Sequence, residues 1–412
     1  MVGEDVAEPV SAMAADAAAE AAAEAAAEAT DPDEVLRYAR ALIAAPSENP
    51  GGTEDEVADV AEGILADLGA ETRIVRSEEG RPSVVARIGS GERPRLAWNG
   101  HLDTVPAGDL STWSSDPFEG AIVDGRLVGR GACDMKGPIA SALAAVAAIG
   151  RAGLSLAGTL ELHLVADEEL AGIHGTRVLR DHDLLDQDAA IVGEPTEMEI
   201  ALAERGGAWV TAVAHGKAAH GSQPERGVNA ILTMSRFLLR LEEVLPERVH
   251  PLVGAPTVNV AIVAGGSAPN VVPDRCEVEI DRRIVPGEDD PEEVLAPFRT
   301  LIDALVAERP DTHIEITMRE WTEAAETTGD SAIAAIVRDA IAAETGSPPP
   351  FVGFTGITDA RYYINDARIP TVIAGPGSLS LAHTANESIG IDEMITAARA
   401  YARTFAGFLG AR

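Results

Sequence analysis

Short runs rich in apolar residues, each followed at once by polar or glycine-containing positions, are the most regular pattern in the chain. Val84-Val85-Ala86, Leu96-Ala97-Trp98, Leu160–Val165 and Ala189–Val192 are too short for amphipathic helices and lack a helical stripe. They predict buried parallel strands, which carry apolar side chains on both faces. The alanine-rich run Ile139–Ile149 predicts a buried helix and falls well short of the ~20 apolar residues of a membrane span. A different rhythm occupies residues 207–318. It predicts strand (Ala208–Ala214), helix (Asn229–Leu245), strand (Thr257–Val263), strand (Cys276–Ile284), helix (Pro291–Ala307) and strand (Thr312–Met318). That βαββαβ order is ferredoxin-like. The expected fold is therefore α/β: a three-layer α/β/α domain with a mostly parallel sheet, residues 31–206 and 319–412, interrupted by an α+β domain at 207–318.

Two helix starts are legible nearby. Asp31-Pro32 places proline at the first helical position. Thr53 with Glu56 has the spacing of a capping box. Residues 1–30 are alanine-rich, with Glu20, Glu24 and Glu28 four apart. Alanine favours helix but like charges at that spacing oppose it, so the segment predicts a frayed acidic tail or a solvated helix. It has no basic start or cleavage pattern of a secretory signal.

Candidate chemistry sits at the ends of the apolar runs. His101 and Asp103 lie in WNGHLDTVP, Asp134 in GRGACDMKG, Glu168 and Glu169 in LVADEE, Glu194 in IVGEPT and His383 in LAHTANE. Each alone has an ordinary reading as a polar loop residue, a charge run or a turn. Together they gain weight, because open α/β sheets bind ligands beyond the carboxyl ends of their strands. Neutral imidazole and carboxylate suit Zn²⁺ and similar ions. A two-metal hydrolase needs a bridging carboxylate and a spare carboxylate as base.

These motifs, H-x-D-T-V-P, G-R-G-x-x-D-M-K-G, D-E-E, G-E-P and A-H-T-x-N-E in that order from Trp98 to Glu387, are similar to those of one zinc-dependent family. It includes acetylornithine deacetylase, succinyl-diaminopimelate desuccinylase, aminoacylases and glutamate carboxypeptidases. The resemblance implies that His101 and Glu194 bind one divalent ion, Glu169 and His383 the other, and Asp134 both. Zinc is the expected metal, with cobalt as an alternative. Asp103 would stand behind the His101 imidazole and Glu168 would be the general base. The 207–318 domain would be a lid and a homodimerisation domain. His220 in HGKAAHGSQPERGVNA would donate to the reaction's oxyanion, and Asn270 and Arg283 would touch substrate. Arg361 in GITDARYY would grip a substrate carboxylate. The implied substrate is an N-acyl amino acid or a short peptide. A deacylase, a metallo-carboxypeptidase or dipeptidase, and a silent binding protein on the same fold all remain readings of these residues.

Other features carry no such role. GRGACDMKG lacks both the phosphate-loop and the dinucleotide-binding glycine spacing. His163 reads as a core or sheet-face histidine, His215 as structural, and no spacing recruits His174 or His182. Cys133 and Cys276 fall in different predicted domains, which argues against a disulfide and for a reducing cytoplasm. The net charge is −35, from 67 acidic and 32 basic residues, and Lys136 and Lys217 are the only lysines. Such acidity disfavours nucleic acid and anionic membranes as partners. It also predicts a halophilic, archaeal protein, because the Debye length shrinks to about 3 Å in 1 M salt and self-repulsion is then screened.

Overall fold

A computed structural model describes residues 7–170 and 172–412; residues 1–6, the start of the predicted tail, lie outside the described residues. The chain forms two compact units. One takes the chain up to Leu202 together with Thr327–Val352 and Thr358–Arg412; the other takes Ala203–Glu326 and Gly353–Ile357.

The first unit is built on a mixed sheet. From one edge its strands run Glu71–Arg76, Pro82–Gly89, Thr159–Val165, Arg95–His101, Ala189–Val192, Thr371–Ile373 and Ile200–Glu204. The four strands from Thr159–Val165 to Thr371–Ile373 are parallel, with Trp98 opposite both Leu162 and Ile191. Val84–Ala86 departs from expectation. It lies in a strand that is antiparallel to both of its neighbours. Pro82–Ala86 is buried throughout; continuous apolar character reports coverage of both faces, and says nothing of strand direction.

Adjacent residues on a strand point to opposite faces, and here both faces are covered. Trp98 packs edge-on against Tyr401 of the helix Ile391–Phe408, with ring centroids 5.7 Å apart. Its neighbour Ala97 packs instead with Ala190, Tyr363 and Ile369. Burying Trp98 completely stabilises the unit by about 3 kcal/mol or more on the usual area scale. The helix Lys136–Arg151 packs against Ile391–Phe408 and buries every residue from Lys136 to Ile149. Alanine or glycine at half of these positions permits such close approach.

The acidic tail is not a tail over its described length. Ala7–Glu28 is one helix, packed on Ile391–Phe408 and Lys136–Arg151. Ala22, Ala26 and Ala27 are buried, while Glu20, Glu24 and Glu28 face solvent. The repulsion between glutamates costs only a few tenths of a kcal/mol per pair, so the buried alanine face decides. Asp31 caps the next helix, Pro32–Ile43, by accepting from Asp33 N at 3.0 Å. The Thr53 capping box does not form: the helix Asp55–Asp67 has Glu54 at its cap with no side-chain cap bond. Glu54 turns inward to Arg81 instead.

The second unit has a four-stranded antiparallel sheet in the order Thr257–Gly265, Arg275–Ile284, Gly206–His215, Ile314–Thr322. Two helices, Ala230–Leu238 and Pro291–Glu308, share a core with it that includes Phe237, Phe298, Val210, Val278 and Ile280. The βαββαβ order is thus realised. The first helix is shorter than expected, ending at Leu238 before a 3₁₀ turn at Leu241–Val244. Leu241 and Val244 are buried all the same, which is why the apolar rhythm runs on past the helix end.

Candidate metal centre

His101 is the last residue of its strand, and the parallel register sets it opposite Val165. Glu168 and Glu169 follow Val165 by a short turn, and Glu194 follows the adjacent strand end Val192. Three loops therefore leave the carboxyl ends of adjacent parallel strands. Asp134 stands just before the helix Lys136–Arg151. His383 comes from a loop near the C-terminus and has a left-handed backbone, φ 62°.

These side chains converge. His101 Nε2 lies 2.8 Å from Asp134 Oδ1 and 3.7 Å from Glu194 Oε1. His383 Nε2 lies 3.3 Å from Asp134 Oδ2 and 3.0 Å from Glu169 Oε2. Each oxygen of Asp134 thus faces a different imidazole. His101–Asp134–Glu194 and Asp134–Glu169–His383 are two three-residue groups whose donor atoms lie within 4.8 Å of one another. Imidazole nitrogen with carboxylate oxygen is a donor set for Zn²⁺ and related divalent ions, and one shared carboxylate suits an ion pair. The residues present fit that pair.

The electrostatics agree. Burial and the Asp134 charge push Glu194 well above the usual carboxylate range, and burial and the Glu194 charge do the same to Glu168. Glu169 is raised by burial and by Asp134. Burial also works to raise Asp134, but hydrogen bonds from His101 and His383 outweigh it and hold it low. Bonds to Asp134 and Glu169 lift His383 to about 10. Crowded carboxylates of this kind favour a cation among them, and metal binding here is linked to proton release.

Asp103 lies on the Nδ1 side of the His101 ring and meets it chiefly through its backbone. His101 Nδ1 donates to the backbone oxygen of Asp103 at 2.9 Å, while the Asp103 carboxylate is 3.5 Å away. A carbonyl oxygen only accepts, so Nδ1 carries a proton; Nε2, 2.8 Å from Asp134 Oδ1, carries a second one in its bond to that carboxylate and would have to release it to ligate an ion. The Asp103 carboxylate instead accepts from Glu168 N at 3.1 Å and Glu169 N at 3.2 Å. It holds the turn that carries both glutamates.

Three residues of this region carry no role in the sequence reading. Glu387 is fully buried and accepts from Cys133 N at 2.9 Å, Asp134 N at 3.0 Å and Arg130 Nη1 at 2.5 Å. It fixes the backbone under the shared aspartate, and its only signal is its place in the A-H-T-x-N-E motif. Asp359, two residues before Arg361, is fully buried and accepts from Thr176 Oγ1 at 2.7 Å. Asn49 lies behind Asp103 in a segment with no motif. Glu387→Ala is expected to weaken metal binding roughly 10–100-fold with the fold intact, as for other outer partners of metal ligands. Competition with a chelator measures this, and unchanged affinity would remove Glu387 from that role.

Arg361 is buried, donates to Thr358 O and lies over the Tyr362 ring with its guanidinium carbon 4.4 Å from the centroid. In the second unit His220 is exposed and its Nδ1 is 2.8 Å from Ser222 Oγ. Asn270 lies beside it, its carbonyl accepting from Gly221 N at 2.7 Å. Arg283 is engaged by Asp281 on its own strand, at 3.0 and 3.1 Å. His163 is a core histidine, 2.7 Å from the Tyr363 hydroxyl. His174 pairs with Ser77, and His215 lies near Glu315. Cys133 and Cys276 are free and buried. No helix among the described residues is long and apolar enough to cross a membrane.

Comparison with known proteins points the same way. Acetylornithine deacetylase of Myxococcus xanthus is 33% identical over 336 residues, 80% of this chain and 84% of that protein. Succinyl-diaminopimelate desuccinylase of Parvibaculum lavamentivorans is 32% identical over 398 residues, 92% of this chain and 97% of that protein. The crystal structure of an M20 family metallo-carboxypeptidase from Sulfolobus solfataricus superposes with a TM-score of 0.77 at 20% identity, covering 91% of this chain and 99% of that one. The profile of peptidase family M20/M25/M40 matches residues 97–406, from the His101 strand to the C-terminal helix. With both carboxylate–imidazole groups inside that span, the chain belongs to this family of metal-dependent hydrolases.

Proposed function

We propose that this protein is a deacylase that hydrolyses the amide bond of an N-acyl-L-amino acid, releasing an acyl group such as acetyl or succinyl. The observation that carries the reading is the pair of ligand groups sharing Asp134 with Glu168, a further carboxylate, beside them. The relatives named acetylornithine deacetylase and succinyl-diaminopimelate desuccinylase support the substrate class. When bound, a pair of divalent ions supplies Lewis-acid charge for the carbonyl and for water; zinc is the first choice and cobalt the second, by ligand type. His101, Asp134, Glu194, Glu169 and His383 would hold the ions.

Glu168 takes a proton from the attacking water and passes one to the leaving nitrogen. Its environment suits both halves of that task, since burial and then the neighbouring Glu194 charge raise its proton affinity. Asp103 sets its direction through the backbone bond to Glu168 N. Arg361 receives the free carboxylate of the amino acid. His220 donates to the oxyanion, and Asn270 and Arg283 contact substrate. Turnover of a panel of N-acetyl and N-succinyl amino acids beside dipeptides, in KCl with added Zn²⁺ or Co²⁺, tests the reading. Cleavage of dipeptides alone would replace it with the peptidase branch of the same family.

The second unit is the proposed homodimer surface. Its edge strand Thr257–Gly265 is largely exposed, with Ile262 60% and Val263 56% accessible, and Leu232 and Leu239 are exposed on the helix Ala230–Leu238 and just beyond it. Open edges and apolar patches of this kind are normally covered. A salt-rich cytoplasm is the proposed setting, supported by the charge of −35 and two unpaired cysteines. The melting temperature and activity are expected to rise with KCl from dilute buffer upward, because screening relieves self-repulsion. Equal values in dilute buffer and concentrated KCl would overturn the halophilic reading, and sedimentation of the same samples tests the dimer.

A further inference from the structure

Asn49 belongs to neither ligand group, yet it is 1% exposed behind them. Its single amide nitrogen lies 2.9 Å from Asp103 Oδ2 and 2.9 Å from Asp167 Oδ1. Those two carboxylates anchor the turn that carries Glu168 and Glu169. Asp103 accepts from both glutamate N–H groups, and Asp167 accepts from His174 N at 3.1 Å. Asp167 itself holds a left-handed backbone, φ 64°, immediately before Glu168. Two buried carboxylates repel unless donors lie between them, and a primary amide offers one N–H to each.

The far side of the amide is fixed as well. Asn49 Oδ1 accepts from Arg81 Nη2 at 3.0 Å, and Arg81 Nη1 pairs with the fully buried Glu54. A guanidinium only donates, so it requires the amide oxygen on its side and turns the NH₂ toward the aspartates. The backbone closes the arrangement: Asn49 N donates to Thr104 O at 2.7 Å, and Thr104 N to Ser47 O at 2.9 Å. The segment is thereby clamped beside the residues that follow His101.

We infer that Asn49 is a positioning residue for the reaction, tying Asp103 to Asp167 so that the turn presents Glu168 and Glu169 in one fixed direction, with Arg81 and Glu54 setting the sense of its amide. Glu168's part in this rests on the amide-hydrolase reading above. An Asn49 that merely filled space would be replaced well by the isosteric aspartate. A donor between two carboxylates would not, because Asn49→Asp sets a third carboxylate against them.

The test compares the zinc-loaded parent with Asn49→Ala, Asn49→Asp and Arg81→Gln by hydrogen exchange and by kinetics. In Asn49→Ala and Asn49→Asp the Glu168 and Glu169 amides are expected to exchange about ten-fold faster, with Leu160–Leu164 unchanged. kcat is expected to fall about 10–100-fold, as for other outer partners, with KM and metal content close to parental. Arg81→Gln should shift both readouts in the same direction by less, and keeps the inference testable if the Asn49 variants do not fold. Parental kcat or parental exchange in the variants, a loss carried by KM or by metal content, or near-parental behaviour of Asn49→Asp would each overturn it. A parent that hydrolyses no acyl amino acid or peptide would fail the functional reading instead, and the exchange data would still decide whether Asn49 fixes the turn.

Discussion

Glu168→Ala is expected to lower kcat by roughly 10²–10⁴-fold, the usual contribution of a positioned general base, while the protein keeps its full metal content. The separation follows from the geometry. Glu168 is in neither ligand group, whereas the adjacent Glu169 lies 3.0 Å from His383. Neighbours in a turn point apart, so one glutamate can serve the ions and the other the water. Asp103 holds both through their backbone N–H groups, not through their side chains. Truncation at 168 therefore leaves the turn in place. Glu168→Gln is the stricter variant, since it keeps shape and removes only proton transfer. Metal analysis alongside single-turnover rates checks the prediction, and a near-parental rate would refute the assignment of the base.

The second large effect is expected at Asp134. It alone is common to both ligand groups, one oxygen 2.8 Å from His101 and the other 3.3 Å from His383. Asp134→Ala should therefore release both ions and reduce turnover by far more than the about 10–100-fold that follows loss of an outer partner. Thermal unfolding gives a second readout. A ligand at 100 times its Kd stabilises the folded chain by about 2.7 kcal/mol, so added Zn²⁺ should raise the parental melting temperature and leave that of Asp134→Ala unmoved. Retention of two tightly held ions in the variant would show that the two groups do not share this carboxylate. Glu387→Ala, acting on the same loop through the Asp134 N–H, should give the smaller loss described above.

The course of the chain was legible where local pattern and tertiary environment agree. The strands at Leu96–Trp98, Leu160–Val165 and Ala189–Val192, the βαββαβ order of the second unit and the cap at Asp31 all lie where the apolar rhythm and cap chemistry put them. The motif residues at the strand ends were legible too, because metal ligation demands particular residue types at loop positions where ordinary packing demands none. Pairing direction was not legible: Val84–Ala86 is as apolar as its parallel neighbours but antiparallel to them. Nor was the packing of Ala22, Ala26 and Ala27, since an alanine face looks alike in solvent and against another helix.

Residue type and spacing along the chain thus marked the side chains that converge on the candidate metal centre and the order of the elements carrying them. What supports them came from contacts between segments far apart in the chain. Asn49 and Asp103 are 54 residues apart, and Glu387 and Asp134 are 253 apart. Hydrogen bonds across such separations leave no periodicity in the chain; they exist only once the strands and loops that carry their partners have been brought together.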